Sequence, residues 1–110
     1  MKITNREIND IAVIDFEGDL DTNTSPKAEK FINKIIDQNK KKILVNFKNL
    51  DYISSAGLRV LLGTMKMLHK MEGELKICDL NETVLEIFDI SGFSTILSVC
   101  ENEEIALGEF

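Results

Sequence analysis

The stretch Asn49–Leu62, NLDYISSAGLRVLL, decides how this chain folds. Its first residues continue an apolar strand pattern, and its last residues have the apolar spacing that is typical of a helix. Four small residues lie where the strand passes into the helix, namely Ser54, Ser55, Ala56 and Gly57. Small residues at such a junction either form a turn and a helix cap, or they leave a corner of the surface open to a partner.

Strand-like and helical segments alternate along the rest of the chain. KITNREI and DIAVIDFEG predict two strands joined by a tight turn at Asn9–Asp10, and KILVNF, ELKIC and STILSV predict three more. Helices are predicted after Pro26, from the serine corner to Met71, over NETVLEIFDISG with Asn81 as its cap, and over the C-terminal ENEEIALGEF. This alternation predicts an α/β fold in which helices pack on a mixed, mostly parallel sheet of four to five strands.

Length and charge narrow the classes of protein. A chain of 110 residues with 44% hydrophobic residues is expected to form one domain, residues 1–110, whose core needs no metal or disulfide. Its net charge of −6 argues against direct nucleic-acid binding and against anionic membranes, since neither surface would attract it. Cys78 and Cys100 lie far apart in the sequence and are interpreted as reduced thiols. Without a signal peptide or a membrane-spanning run, the protein is expected to be cytoplasmic.

The residue patterns of common catalytic and metal sites are absent. The single histidine, His69, lies between Lys66 and Lys70 in the second predicted helix and is interpreted as a surface residue. One histidine and two distant cysteines provide no conventional zinc site. The chain has neither a phosphate-binding loop, nor a dinucleotide fingerprint, nor a nucleophile elbow. We therefore expect no catalytic residue, no bound metal and no cofactor.

Asp19 and Asp21, in the segment GDLD, are the best carboxylate pair for a metal or acid–base role. Aspartate is common in turns, so a turn after the second strand is the favoured interpretation. Asp21 is then expected to help cap the first helix, for which Thr24 or Ser25 is the predicted N-cap and Pro26 an early helical residue.

The serine corner can be explained as a helix cap. Ser54 or Ser55 would accept a hydrogen bond from a backbone N–H group of the first helical turn. The third helical position, where a capping box would have Glu or Gln, instead holds Gly57 or Leu58. Glycine there costs up to ~1 kcal/mol relative to alanine, which a purely structural helix start has little reason to accept.

A modification site explains the same residues together. Ala56 and Gly57 would leave room for a kinase loop or a docked partner to reach a serine hydroxyl, and Arg59 could face the site. A helix N-terminus tolerates an added phosphate, because its free N–H groups and partial positive charge favour an anion.

The chain resembles the STAS-domain anti-sigma factor antagonists of bacteria. LDYISSAGLRVLL is similar to the family signature, in which a serine precedes a small residue and Gly-Leu at the start of the second helix. FEGDLD resembles the family's Gly-Glu-Leu-Asp segment with Asp19 in place of Glu, and IFDISGF, Ile87 to Phe93, resembles a third segment. The resemblance spans essentially the whole chain, in the expected order, and implies a non-enzymatic regulator of transcription.

The resemblance also implies partner switching. In the family, the unphosphorylated antagonist binds an anti-sigma factor with serine kinase activity and so frees sigma factor. Phosphorylation of one serine releases the antagonist, and a separate serine phosphatase restores it. By position the acceptor is Ser55, while Ser54 stands where the family commonly has aspartate and is a competing acceptor. The implied partner-binding residues are Asp21, Thr24, Ser54, Ser55, Ala56, Gly57 and Arg59.

Two other classes of function stay open at the level of sequence. A STAS subunit of another assembly, such as a stressosome-like scaffold or the accessory subunit of a lipid-transport ATPase, could use the same helix surface without a phosphorylation cycle. An enzyme, or a small-molecule sensor with its own pocket, ranks third because no motif in the chain points to a reactive or ligand-binding site.

Overall fold

Five strands form one sheet in their order along the chain. The computed structural model describes residues 1–110. Strands β1 (Lys2–Ile8) and β2 (Ile11–Leu20) are antiparallel. Strands β3 (Lys42–Ile53), β4 (Glu74–Cys78) and β5 (Ser98–Cys100) each run parallel to the strand before them. The predicted mixed, mostly parallel sheet is therefore confirmed, with five strands.

The connection between β1 and β2 is the predicted tight turn. Asn9 and Asp10 have φ angles of 50° and 62°. Two consecutive positive φ angles are what a type I′ hairpin turn requires, and asparagine and aspartate tolerate them better than most residues do. Ile8 and Ile11 consequently pair directly across the hairpin.

Four helices cover the two faces of the sheet. They are α1 (Ser25–Asp37), α2 (Ser55–Lys70), α3 (Glu82–Ser91) and α4 (Glu103–Gly108). The first three pack on one face around a core of 22 buried residues, and α4 packs on the other face around a cluster of six. None of these helices combines the length and the apolar character that crossing a membrane would need.

The first half of β2 is apolar on both sides because it contributes to both clusters. Ala12 and Ile14 belong to the larger core under α1, α2 and α3, whereas Ile11 and Val13 belong to the smaller cluster under α4. Successive side chains of a strand point to opposite faces, so both sets must be apolar when both faces are covered.

The segment STILSV, predicted as one strand, is divided between two conformations. Gly92 ends α3 in the left-handed region, with φ 82°, and Phe93–Thr95 then forms a single turn of 3-10 helix. The Thr95 hydroxyl donates to the Gly92 carbonyl at 2.8 Å, which closes this turn. The strand therefore begins only at Ser98.

The two cysteines are neighbours in the fold although they are distant in sequence. Cys78 on β4 and Cys100 on β5 are directly paired in register, and both are buried and free. Burial raises the pKa of each thiol, so the reactive thiolate form is disfavoured. The interpretation as reduced thiols stays a prediction, and the two cysteines are distant only along the chain.

Ion pairs and hydrogen bonds connect α4 to the sheet. Arg6 of β1 donates two hydrogen bonds of 2.8 Å to the Asp15 carboxylate, and its guanidinium also reaches Glu103 Oε1 at 2.5 Å. Asn46 of β3 donates to the same Glu103 oxygen at 2.9 Å. The hydrogen bonds from Arg6 hold the pKa of Glu103, the first residue of α4, below its usual value.

We predict that Glu103→Gln lowers the free energy of unfolding at pH 7 by about 0.5–1 kcal/mol, because the pair is partly exposed. The pKa of Glu103 is lower in the folded state than in the unfolded state. Its contribution to the free energy of unfolding is therefore fully present above the unfolded-state pKa of about 4.3, and it is lost as the pH falls through the folded-state pKa. Urea unfolding at neutral and acid pH measures both effects. The exposed neighbour variant, Glu104→Gln, should change little, and a Glu103→Gln loss that persists in acid would contradict the assignment.

Candidate functional site

The serine corner joins the end of β3 to the start of α2. The Ser54 N–H donates to the Leu20 carbonyl at the end of β2, at 2.9 Å, which ties the ends of the two strands together. Ser54 itself is extended, and its hydroxyl accepts from the Gly57 N–H at 3.4 Å. Of the two predicted caps, Ser54 is therefore the N-cap of α2.

Ser55 differs sharply from its neighbour. It is the first residue of α2, it is exposed, and its hydroxyl makes no hydrogen bond within the protein. Ser54 is half-buried and uses its hydroxyl to hold the helix. The Ser54 hydroxyl thus has a structural role, and the Ser55 hydroxyl has no partner within the protein.

Gly57 does not leave the opening that the sequence suggested. It is buried, and a Cβ atom there would lie 2.8 Å from Ile53 Cγ1 and 2.9 Å from the Leu20 carbonyl oxygen. The expectation that Gly57 makes room for a kinase loop is wrong, because its small size lets the first turn of α2 approach the ends of β2 and β3. The close packing of this turn against β2 and β3 therefore explains why glycine is present despite its low helix propensity.

Ala56 and Arg59 face a shallow groove between the starts of α1 and α2. The groove has a volume of about 330 Å³, and α1 and the loop before it contribute Thr22, Ser25, Pro26 and Glu29 to its lining. Arg59 is exposed and takes part in no ion pair of the structure. It lies one helical turn after Ser55, which is the spacing at which side chains on one helix face meet.

The loop that contains Asp21 and Thr24 is held by its own hydrogen bonds. The Asp21 carboxylate accepts from the backbone N–H groups of Asn23, at 2.9 Å, and Thr24, at 3.1 Å. These donors, Thr24 first, hold the pKa of Asp21 below its usual value. The preferred interpretation of Asp21 as a turn residue is confirmed, but it stabilises the turn before α1 instead of capping the helix.

Thr24 occupies the predicted N-cap position of α1 without capping it. Its hydroxyl donates to the Asp19 carbonyl at 2.8 Å and accepts from the Asp21 N–H at 2.8 Å, and no helical N–H group reaches it. Thr24 therefore links the end of β2 to the start of α1. Pro26 stands in the first turn of α1, as predicted.

Tyr52 and Glu29 belong to this surface and were not singled out from the sequence. Tyr52 lies two residues before Ser54 on β3 and pairs in register with Asp19 of β2. The residue is 46% exposed, which is unusual for a large aromatic residue on an interior strand. The only signal in the sequence is the pair Asp51-Tyr52 between the buried Leu50 and Ile53, which breaks strict alternation. Glu29 has no sequence signal, because its place at the groove depends on how α1 meets α2.

The surface around Ser55 carries carboxylates and no conventional reactive site. Asp19, Asp51 and Glu29 are exposed on the elements that surround the serine corner. No group of three or more histidine, cysteine, aspartate or glutamate side chains is arranged to hold a metal ion. His69 is exposed near the far end of α2. The arrangement offers one free hydroxyl at a helix N-terminus beside one unpaired arginine.

Comparison with known proteins gives the same fold and a family. The STAS domain model matches residues 2–106. This chain belongs to the STAS domain family. A Bordetella bronchiseptica protein provisionally named anti-sigma factor antagonist BtrV is 34% identical over 110 residues, covering all of this chain and 95% of the relative. The anti-sigma F factor antagonist of Paenibacillus polymyxa is 32% identical over 100 residues, covering 90% of this chain and 86% of the relative.

Solved structures of anti-sigma factor antagonists share the fold at lower sequence identity. The unphosphorylated anti-sigma factor antagonist SpoIIAA superposes with a TM-score of 0.75 at 21% identity, over 98% of this chain and 96% of SpoIIAA. The phosphorylated form of SpoIIAA from Bacillus gives 0.74 at 24% identity, over 98% of both chains. A provisionally assigned anti-sigma factor antagonist of Thermotoga maritima gives 0.93 at 16% identity, over 97% of this chain and 92% of that one.

We predict that Ser54→Ala lowers the free energy of unfolding by about 0.5–1 kcal/mol, because α2 loses its cap. Ser55→Ala should leave stability within about 0.5 kcal/mol, because this exposed hydroxyl has no partner to lose. Urea unfolding of the two variants side by side makes the measurement. Equal losses of unfolding free energy in the two variants would show that the Ser54 hydroxyl does not stabilise the helix more than the Ser55 hydroxyl does.

We also predict that Gly57→Ala destabilises the fold by about 1–3 kcal/mol, because the added methyl group overlaps Ile53 and the Leu20 backbone. Gly63→Ala on the same helix is the matched control, since nothing lies within 4 Å of a Cβ there. The control should stabilise by up to ~1 kcal/mol through helix propensity. A Gly57→Ala protein as stable as the wild type would refute the close approach.

Proposed function

We propose that this STAS protein is an anti-sigma factor antagonist controlled by phosphorylation of Ser55. In its unphosphorylated form it binds, through the surface around Ser55, an anti-sigma factor with serine kinase activity, and this releases the sigma factor. Phosphorylation of Ser55 by that kinase ends the binding, and a separate serine phosphatase restores the hydroxyl. The proposed partner surface comprises Asp21, Thr24, Ser54, Ser55, Ala56 and Arg59, with Tyr52 beside it and Gly57 holding the helix beneath it.

The observation that carries the proposal is the free, exposed hydroxyl of Ser55 beside an engaged Ser54. A kinase can reach Ser55 without breaking a hydrogen bond that holds the helix, whereas phosphorylation of Ser54 would remove the cap. Two relatives above 30% identity are named as anti-sigma factor antagonists, and SpoIIAA is known in an unphosphorylated and a phosphorylated form. These names support the same assignment for this chain.

The proposed modification is a phosphoryl transfer from ATP bound to the kinase partner. A bond forms between Ser55 Oγ and the γ-phosphorus, and the bond from that phosphorus to the oxygen bridging the β- and γ-phosphates breaks, which releases ADP. The hydroxyl proton passes to a base of the kinase. The phosphatase later cleaves the bond between Ser55 Oγ and phosphorus with water, which restores the hydroxyl and releases inorganic phosphate. This chain supplies only the acceptor oxygen.

The energetics favour an effect on binding over an effect on folding. The phosphate brings about −1.5 to −2 charges to the N-terminus of a helix of 16 residues, where the helix dipole stabilises it by about 1 kcal/mol. The first turn of α2 contains no acidic residue that would oppose it. Against an anionic or closely packed partner surface, the same charge costs several kcal/mol, and each ~1.4 kcal/mol is a tenfold change in affinity.

We predict that immobilised Ser55→Ala recovers from the source bacterium an anti-sigma factor with a serine kinase domain and retains it in the presence of ATP. The unmodified protein should release the same partner when ATP is added. Ser55→Asp should bind at least about tenfold more weakly, because it carries a permanent negative charge at the contact. Titration calorimetry with the recovered partner measures both variants.

Mapping of the phosphate by mass spectrometry, after incubation with the partner and ATP, provides the control for position. Ser54→Ala should still be phosphorylated and Ser55→Ala should not. Phosphate found only on Ser54, or a Ser55→Asp variant that binds as tightly as Ser55→Ala, would contradict the proposal.

A further inference from the structure

We infer that Arg59 is the counter-ion of the Ser55 phosphate, and that phosphorylation therefore changes two charges on the partner surface. The phosphate adds negative charge at Ser55, and by drawing Arg59 into an intramolecular pair it withdraws a positive charge that the unmodified protein offers to its partner. This inference rests on the proposed function only in taking Ser55 as the phosphorylated residue.

The helical spacing places the two groups within reach of each other. Ser55 and Arg59 are four residues apart on α2, on one face of the helix and one turn apart. An acidic group N-terminal to a basic one at this spacing is the more favourable order, because it also agrees with the helix dipole. The planar guanidinium can donate two parallel hydrogen bonds to phosphate oxygens, which makes arginine a good partner for phosphoserine.

Arg59 is also uncommitted in the unmodified protein. The other arginine of the chain, Arg6, is held by Asp15 and Glu103, whereas no carboxylate oxygen lies within 4.0 Å of the Arg59 guanidinium. Glu29 lines the same groove and still does not pair with it. A phosphate on Ser55 would therefore meet an arginine that has no competing ion pair to give up.

No other cation of α2 can take this position. The next basic residue on the helix, Lys66, is eleven residues from Ser55, a rise of about 16 Å. That distance exceeds the screening length of about 8–10 Å at ordinary ionic strength. Lys66 is exposed like Arg59, so it serves as a matched control for removing a positive charge from this helix.

The test uses phosphoserine inserted at position 55 during translation, so that it does not depend on any kinase. A phosphorus NMR titration gives the second pKa of the phosphate, which is about 6 for an unperturbed phosphoserine. Arg59→Gln should raise this pKa by about 0.2–0.7 pH units relative to the phosphorylated protein with Arg59 intact, the range set by an exposed ion pair. Arg59→Lys should keep the pKa low, and Lys66→Gln should leave it unchanged.

Three results would overturn the inference: no change of the phosphate pKa in Arg59→Gln, the same rise in Lys66→Gln, or a rise in Arg59→Lys as large as that in Arg59→Gln. The helix dipole acts in every variant and cancels from these comparisons. Failure here is distinguishable from failure of the proposed function. If phosphoserine at position 55 weakens partner binding and the phosphate pKa is the same with and without Arg59, only the inference fails. If the phosphate pKa depends on Arg59 and the phosphate does not weaken partner binding, only the proposed control of binding by phosphorylation fails.

Discussion

The close contact between the first turn of α2 and the end of β2 determines the form of the candidate functional surface. The Leu20 carbonyl accepts the Ser54 N–H, and Leu20 and Ile53 fill the space where a side chain at position 57 would stand. These contacts fix both the residue at which α2 begins and the direction in which it leaves the sheet. In this arrangement the Ser54 hydroxyl accepts from the Gly57 N–H, and Ser55 is exposed.

This constraint separates the residues that maintain the fold from those available to a partner. Ser54 and Gly57 serve the helix start, while Ser55, Ala56 and Arg59 form the outer surface beside the α1–α2 groove. The hydrogen bonds of Asp21 and Thr24 stabilise the adjoining loop independently. A charge added at Ser55 would therefore lie at an exposed helix N-terminus, one turn from Arg59, on a surface that also carries the carboxylates of Asp19, Asp51 and Glu29.

Local signals predicted most of the fold, because several elements are bounded by residues with strong conformational preferences. The turn at Asn9–Asp10, the N-cap at Asn81 and the helix-ending Gly92 all occur where the sequence placed them. Two errors are local: the 3-10 turn after Gly92 delays the last strand, and the Thr24 hydroxyl bonds to Asp19 and Asp21 within its own loop. The packing of Gly57 against Leu20 and the pairing of Cys78 with Cys100 could not be predicted, because they depend on which strands become neighbours.

At the candidate site, too, the features set by nearby residues could be predicted from the sequence, and those set by tertiary packing could not. The family resemblance selected Ser55 over Ser54 by its distance from Gly57, and the structure adds a physical difference between the two hydroxyls that the sequence left open. The exposure of Tyr52 and the groove between Arg59 and Glu29 could not be predicted, since they depend on how α1, α2 and the strand ends meet.

Proton–nitrogen correlation spectra of the unmodified and Ser55-phosphorylated proteins test most directly the claim that the added charge alters the surface and leaves the fold intact. The account predicts shift changes confined to the amides around the serine corner and the loop before α1, with the core amides of Ile14, Val45 and Ile77 unmoved. Widespread changes through these strands, or loss of their signals, would show that phosphorylation acts on the fold itself.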